Sequence, residues 1–152
     1  MSDARLELGP DLSVSWEADG WSLEGSLEPA WSALRVLTGE LGDGARVLLA
    51  GARPSGATAH DEETVRAVIV RPSGETEEIY EVLLSTEYAA DGSVRRVGME
   101  LYPEGEDYPH RAAADTREAR RGEEGDRRTE VAEMELRMNG VAGRATHELL
   151  RP

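Results

Sequence analysis

Residues 78–102 read EIYEVLLSTEYAADGSVRRVGMELY. Tyr80, Val82, Leu84 and Thr86 recur at period two, the spacing that puts side chains on one face of an extended strand. Ala89-Ala90-Asp91-Gly92 carries turn chemistry, and Val97, Met99 and Leu101 resume the alternation beyond it. A pair of alternating runs joined by an Asp-Gly turn is a β-hairpin.

Working outward, the same grammar repeats. Val65–Arg71 (VRAVIVR) is a β-branched run closed by Pro72-Ser73-Gly74. Leu12, Val14 and Trp16 alternate towards Ala18-Asp19-Gly20, and Trp21, Leu23, Gly25 and Leu27 alternate away from it. Met134, Leu136 and Met138 lead into Asn139-Gly140, and Arg144–Leu150 forms a closing strand. Pro29–Thr38 admits a helix through Ala30, Ala33, Leu34 and Leu37, but pairing with Ala45–Ala52 through Gly42-Asp43-Gly44 favours a strand. Ala112–Glu130 is strongly charged. It is read as a short helix or as two exposed strand ends around Gly122–Gly125, in either case a solvated projection. Short strands at turn-punctuated intervals predict one all-β domain over residues 1–152, an antiparallel barrel or barrel-like sandwich of about 8–10 strands.

The chain has 152 residues, no cysteine and a formal net charge of −14. The first feature suits a single domain; the second excludes disulfides, thiolate nucleophiles and cysteine zinc sites. The third argues against nucleic acid and anionic membrane surfaces, which demand concentrated positive charge. No basic start followed by an apolar run marks a signal peptide, and no apolar stretch reaches the length of a membrane span, so the expected location is the cytoplasm. All 17 basic residues are arginine, and phenylalanine is absent. Aromatic contact area must therefore come from tryptophan and tyrosine, whose polar tips seek partners when buried.

Two loops carry candidate chemistry. In Ala59–Glu63 (AHDEE), His60 beside Asp61 could transfer a proton. In Glu104–Arg111 (EGEDYPHR), Tyr108 and Arg111 could polarise an oxygen, with His110 binding the same molecule. For both loops solvated surface with no special role is the favoured reading, and this chemistry is the alternative. Trp16, Trp21, Trp31, Tyr88 and Tyr102 could line an apolar barrel cavity, or simply pack a core that lacks phenylalanine. His60, His110 and His147 show no ligand spacing, so no metal is expected. No phosphate-binding glycine motif or nucleophile elbow is present, and no cofactor is expected.

Leu37-Thr38-Gly39-Glu40-Leu41-Gly42-Asp43-Gly44, the strand pair around Leu84 and Leu101, and Met134–Arg151 (MELRMNGVAGRATHELLR) together resemble the lipocalin-like domain of the AttH and carotenoid 1,2-hydratase family. The resemblance runs from Leu34 to Arg151. It implies a lipocalin-like barrel, one of the two barrel-like halves such proteins carry, and a single half could pair with itself as a homodimer. Some members hydrate or cyclise apolar polyenes; the His/Trp-rich active-site segment of full-length hydratases is missing here. The resulting expectation is a barrel that binds an apolar, partly oxygenated small molecule, with cofactor-free hydratase, isomerase or cyclase chemistry as its enzymatic form. The alternative is a non-catalytic structural or protein-interaction module that uses an exposed strand edge.

Overall fold

The computed structural model describes residues 5–8, 13–18, 21–26, 31–54, 63–105, 108–124 and 127–151, with side chains from residue 33 onward except at 54, 64, 124 and 127. Among these residues every regular element is a strand. β1 (Arg5–Leu8), β2 (Ser13–Ala18) and β3 (Trp21–Ser26) form a three-stranded antiparallel sheet. β4 (Trp31–Leu41), β5 (Arg46–Pro54), β6 (Thr64–Val70), β7 (Thr76–Tyr88), β8 (Val94–Pro103), β9 (His110–Glu124), β10 (Arg127–Met138) and β11 (Val141–Arg151) form a closed barrel. The eight strands run up and down in chain order, and β11 closes the ring by pairing antiparallel with β4.

Local chemistry sets this path. At Asn139-Gly140 both residues have positive φ, 50° and 83°, and Met138 pairs with Val141 across the two-residue loop. Positive φ at both central positions is the type I′ geometry whose twist matches paired strands, and Asn-Gly adopts it at least cost. The β4–β5, β6–β7 and β7–β8 turns share a different device. In each, a glycine amide bonds back three residues, as Gly92 does to Ala89 and Gly44 to Leu41. Asp43 and Asp91 side chains brace two of them by accepting the Ala45 and Ser93 amides, both at 3.0 Å.

The predicted strand over 29–38 is β4. The charged segment 112–130 is the pair of strand ends: Thr129 pairs with Gly122 and Arg128 with Glu123, largely exposed. Where the expectation departs from the structure, the pleat and one bulge explain it. Between Ile79 and Glu81 the β7–β8 register shifts. The shift turns Tyr80 outward to 82 % exposure while Val82 and Leu84 face in. Tyr102 follows the pleat: Val97, Met99 and Leu101 point inward, so their neighbour points out.

The barrel interior is filled by aliphatic side chains, among them Leu37, Val47, Leu49, Leu101, Met134 and Leu136. It is a packed core, as expected where eight strands leave just enough width for side chains. Small wall residues set the packing; a Cβ on Gly39 would run into Leu136 and Val47. The wall of β4, β5, β6 and β11 buries its outer face too, through Leu34, Val36, Leu48, Val68 and Leu150. The outer face of β7–β10 instead carries ion pairs such as Arg95–Glu87 at 3.2 Å, Arg96–Asp115 at 3.1 Å and Arg117–Glu135 at 3.3 Å. Among the described residues no helix is long and apolar enough to cross a membrane.

One seam interrupts the backbone ladder. β6 and β7 pair only at Val68–Glu78, Ile69–Glu77 and Val70–Thr76. Above that point β7 continues to Tyr88 paired with β8 alone.

Candidate functional site

The register gives the barrel two ends of opposite character. Leu41, Glu77, His110 and Met138 lie at one; Arg35, Gly51, Thr86, Glu130 and Leu149 lie at the other. At the first end Asn139 fixes His110. Its Oδ1 accepts the Arg111 amide (3.2 Å), which leaves Nδ2 to donate to His110 Nδ1 (2.8 Å). The proton of a neutral ring then sits on Nε2 and is donated to Glu77 Oε1 at 2.9 Å. Burial opposes ionisation of Glu77, but His110 and Arg71 outweigh it and hold the carboxyl below its usual range. With both ring nitrogens engaged, this cluster closes the end of the barrel.

The other end is open and electrically unusual. Arg35 belongs to the inward register of β4, between Ala33 and Leu37, yet it is only 8 % exposed. Its guanidinium makes a two-pronged bridge to Glu63, Nε–Oε2 at 2.8 Å and Nη2–Oε1 at 2.7 Å. Nη1 donates to Thr86 Oγ1 at 2.7 Å. Gly51 makes the bridge possible, because a Cβ there would occupy the place of the Glu63 carboxylate. Arg35 therefore ties the residue before β6 to β7, across the seam where no backbone bonds form. Glu130, 6 % exposed, accepts the Val94 amide at 3.0 Å and lies 3.7 Å from Arg121.

His147 sits on the floor of this end, between Ala132 of β10 and Leu37 of β4. It is fully buried, and neither ring nitrogen has a hydrogen-bond partner among the described residues. Burial, reinforced by Arg35 and Arg151, pushes its pKa down to about 3. The ring is thus neutral near pH 7, with one N–H donor and one lone pair unused. Leaving a buried polar group unpaired costs about 1–3 kcal/mol, so the ring carries a stability penalty where it stands.

His147 lines a recess of about 270 Å³ together with Arg35, Arg53, Glu63, Tyr88 and Arg151, with Ala33, Val94 and Leu149 supplying apolar wall. Arg151 lies over the Tyr88 ring, 5.9 Å from its centroid. A second recess of about 190 Å³ adjoins it through Leu149 and Arg151, bordered by Asp91, Arg121, Arg128 and Glu130. Neutral His147 is too weak a base to take a proton near pH 7, and its ring nitrogens are covered by the side chains around them. The arginines can hold a developing or resident negative charge.

Of the residues expected to act, His60 and Asp61 lie outside the described residues. Tyr108 is 83 % exposed. Arg111 lies on the outer surface with Nε 3.8 Å from Glu100. Tyr102 donates to the same carboxylate at 3.1 Å, which raises its pKa. His110 is at the closed end. Tyr88 alone of the expected tyrosines borders the open recess. Trp16, Trp21 and Trp31 fall in β2, β3 and β4, their side chains outside the described residues. Among the described residues no group of His, Asp and Glu converges as a metal site would require.

No family model matches the sequence, and no curated protein matches it significantly. Solved structures do match. One is the crystal structure of a candidate AttH protein from Nitrosomonas europaea, with a TM-score of 0.54 and 15 % identity. The match covers 92 % of this chain and 50 % of that one. The fold is AttH-like. At this identity the likeness speaks for the fold alone, and the chain spans half the length of that neighbour.

The residues that sequence reading missed in this AttH-like barrel are Arg35, Glu63, Glu130, His147 and Arg151. A signal was present for two of them. Arg35 in ALRVL and His147 in ATHEL occupy inward positions of runs whose other inward members are apolar, and a polar residue in that register is a pocket candidate.

Proposed function

We propose that this chain is a lipocalin-like barrel that binds a small, partly oxygenated molecule at its open end. The observation that carries the reading is His147: completely buried, facing a recess, and unpartnered at both nitrogens. Ligand entry that shifts the side chains over the ring would let a hydroxyl or carbonyl recover the unmade hydrogen bonds. Its apolar part would lie along Ala33, Val94 and Leu149. The reading is of binding, because His147, the histidine of the recess among its described residues, is held neutral near pH 7. The test is a small-fragment screen followed by NMR, with the ring nitrogens of His147 labelled. Fragments that shift His147 and lose affinity in His147→Met support the reading. Hits that leave His147 unmoved, or no hits at all, overturn it.

A protein-interaction role is the second reading, favoured by the seam. Above Ile79 the β7 edge has no backbone partner in β6, and Tyr80 and Leu83 stand exposed beside it. An added strand would protect the β7 amides between Ile79 and Tyr88 from exchange. Protection by a bound peptide without any His147 shift would favour this role over the first.

A further inference from the structure

We infer that the molecule held at the open end is a monoanion, a carboxylate with a short apolar body. The inference rests on the binding role proposed above and narrows it to one ligand class. Among the described residues Arg35, Arg151 and Glu63 are charged members of the recess lining. They stand in a chain of net charge −14. Glu63 is already matched by the two-pronged Arg35 bridge. Arg151 differs. Its guanidinium rests over the Tyr88 ring, and its N–H groups meet no hydrogen-bond partner among the described residues. A planar guanidinium with its edge unoccupied presents the parallel N–H pair that a carboxylate accepts. The His147 N–H, a few residues along the same inward face of β11, is a further donor for the same group or for a neighbouring oxygen.

Charge and size set the remaining limits. With Glu63 matched by Arg35, Arg151 offers one positive charge, which a monoanion balances and a dianion such as a phosphate monoester exceeds. Leu37, Leu49, Ala132 and Met134 close the barrel beside and below His147. A long chain therefore cannot descend into the interior. The apolar body must be short and lie along Ala33, Val94 and Leu149, whose side chains make up the uncharged part of the lining.

The test titrates the whole chain with benzoate and hexanoate and with the size-matched neutral benzyl alcohol and hexan-1-ol. The His147 ring nitrogens and the Arg151 side chain are observed by NMR. The carboxylates are expected to bind at least tenfold more tightly than their alcohols. In Arg151→Met that preference should vanish while the alcohols still bind, and Arg137→Met at the far end should behave as wild type. Thermal melts confirm that both variants fold. Equal affinity for acid and alcohol, or a preference for benzylammonium, overturns the ligand class while leaving the binding site intact. If neither acid nor alcohol moves His147, both the class and the binding role fall.

Discussion

His147 shows what a single buried side chain costs when its polar atoms meet no partner among the described residues. Its ordinary pKa of 6.5 is pushed down to about 3 by burial, then by Arg35 and Arg151. The carboxylates of Glu63 and Glu130 share this end of the barrel, but each is engaged, by Arg35 and by Val94 and Arg121 respectively. A group with a depressed basic pKa stays neutral when folded and takes a proton when unfolded. The stability it permits is therefore fully present above pH 6.5 and is lost as pH falls towards 3. Between pH 6 and pH 4 this one ring is expected to cost about 1.4 kcal/mol per pH unit. His147→Met should remove that slope and gain about 1–3 kcal/mol at pH 7, because the unpaired nitrogens disappear. Urea denaturation of both proteins across this pH range measures the difference, in which Glu77 and other shared carboxylates cancel. A variant that is less stable at pH 7 would mean that the ring nitrogens are satisfied in solution.

Among the elements, the seam between β6 and β7 is where a side chain replaces a ladder. Arg35 holds Glu63 and Thr86 together above the last backbone pair. Both partners of the bridge are largely buried, with side-chain exposures of 10 % and 13 %. Breaking one partner of a buried pair strands the other, at a cost of about 3–5 kcal/mol. Arg35→Met is expected to approach that loss and to speed amide exchange in Thr64–Ala67 and Ile79–Tyr88, leaving β10 unchanged. Gly51→Ala should reproduce a milder version, since the new Cβ displaces the Glu63 carboxylate without removing any charge. Hydrogen exchange followed by mass spectrometry reads both variants; uniform acceleration over the barrel would show that Arg35 supports the fold at large rather than the seam. Much at this scale was legible in the sequence. Asn139-Gly140, Asp91-Gly92 and the period-two runs are local physics, and each became the turn or strand it predicted. The bulge at Ile79–Glu81 was not legible, because a register shift depends on how β7 meets β8 rather than on either strand alone. The site was legible only in part: Arg35 and His147 are polar residues in inward registers, but their meeting with Glu63 depends on closure of the ring.

At the scale of the whole molecule, ring closure brings Arg35 and Arg151 together at one end of an acidic protein and fills the space behind them with aliphatic side chains. Those two facts together set what the barrel can admit. Leu37 is fully buried directly beside His147 in the β4–β11 register, so it is the stopper between recess and core. Leu37→Ala should destabilise the barrel by about 2–5 kcal/mol through lost contacts and a residual cavity. If the cavity joins the recess, the preference among straight-chain carboxylates should move to longer chains, because the added methylenes would refill the space and recover about 0.8 kcal/mol each. Wild-type affinity should instead level off with chain length, since a tail beyond the recess gains no further burial. A titration series from butanoate to decanoate on both proteins measures this directly. Affinity that climbs steadily in the wild type would mean that the core itself opens to admit the ligand. A plateau in the wild type that lengthens in Leu37→Ala would establish that aliphatic packing, set by residues with no polar atom to offer, is what limits ligand size.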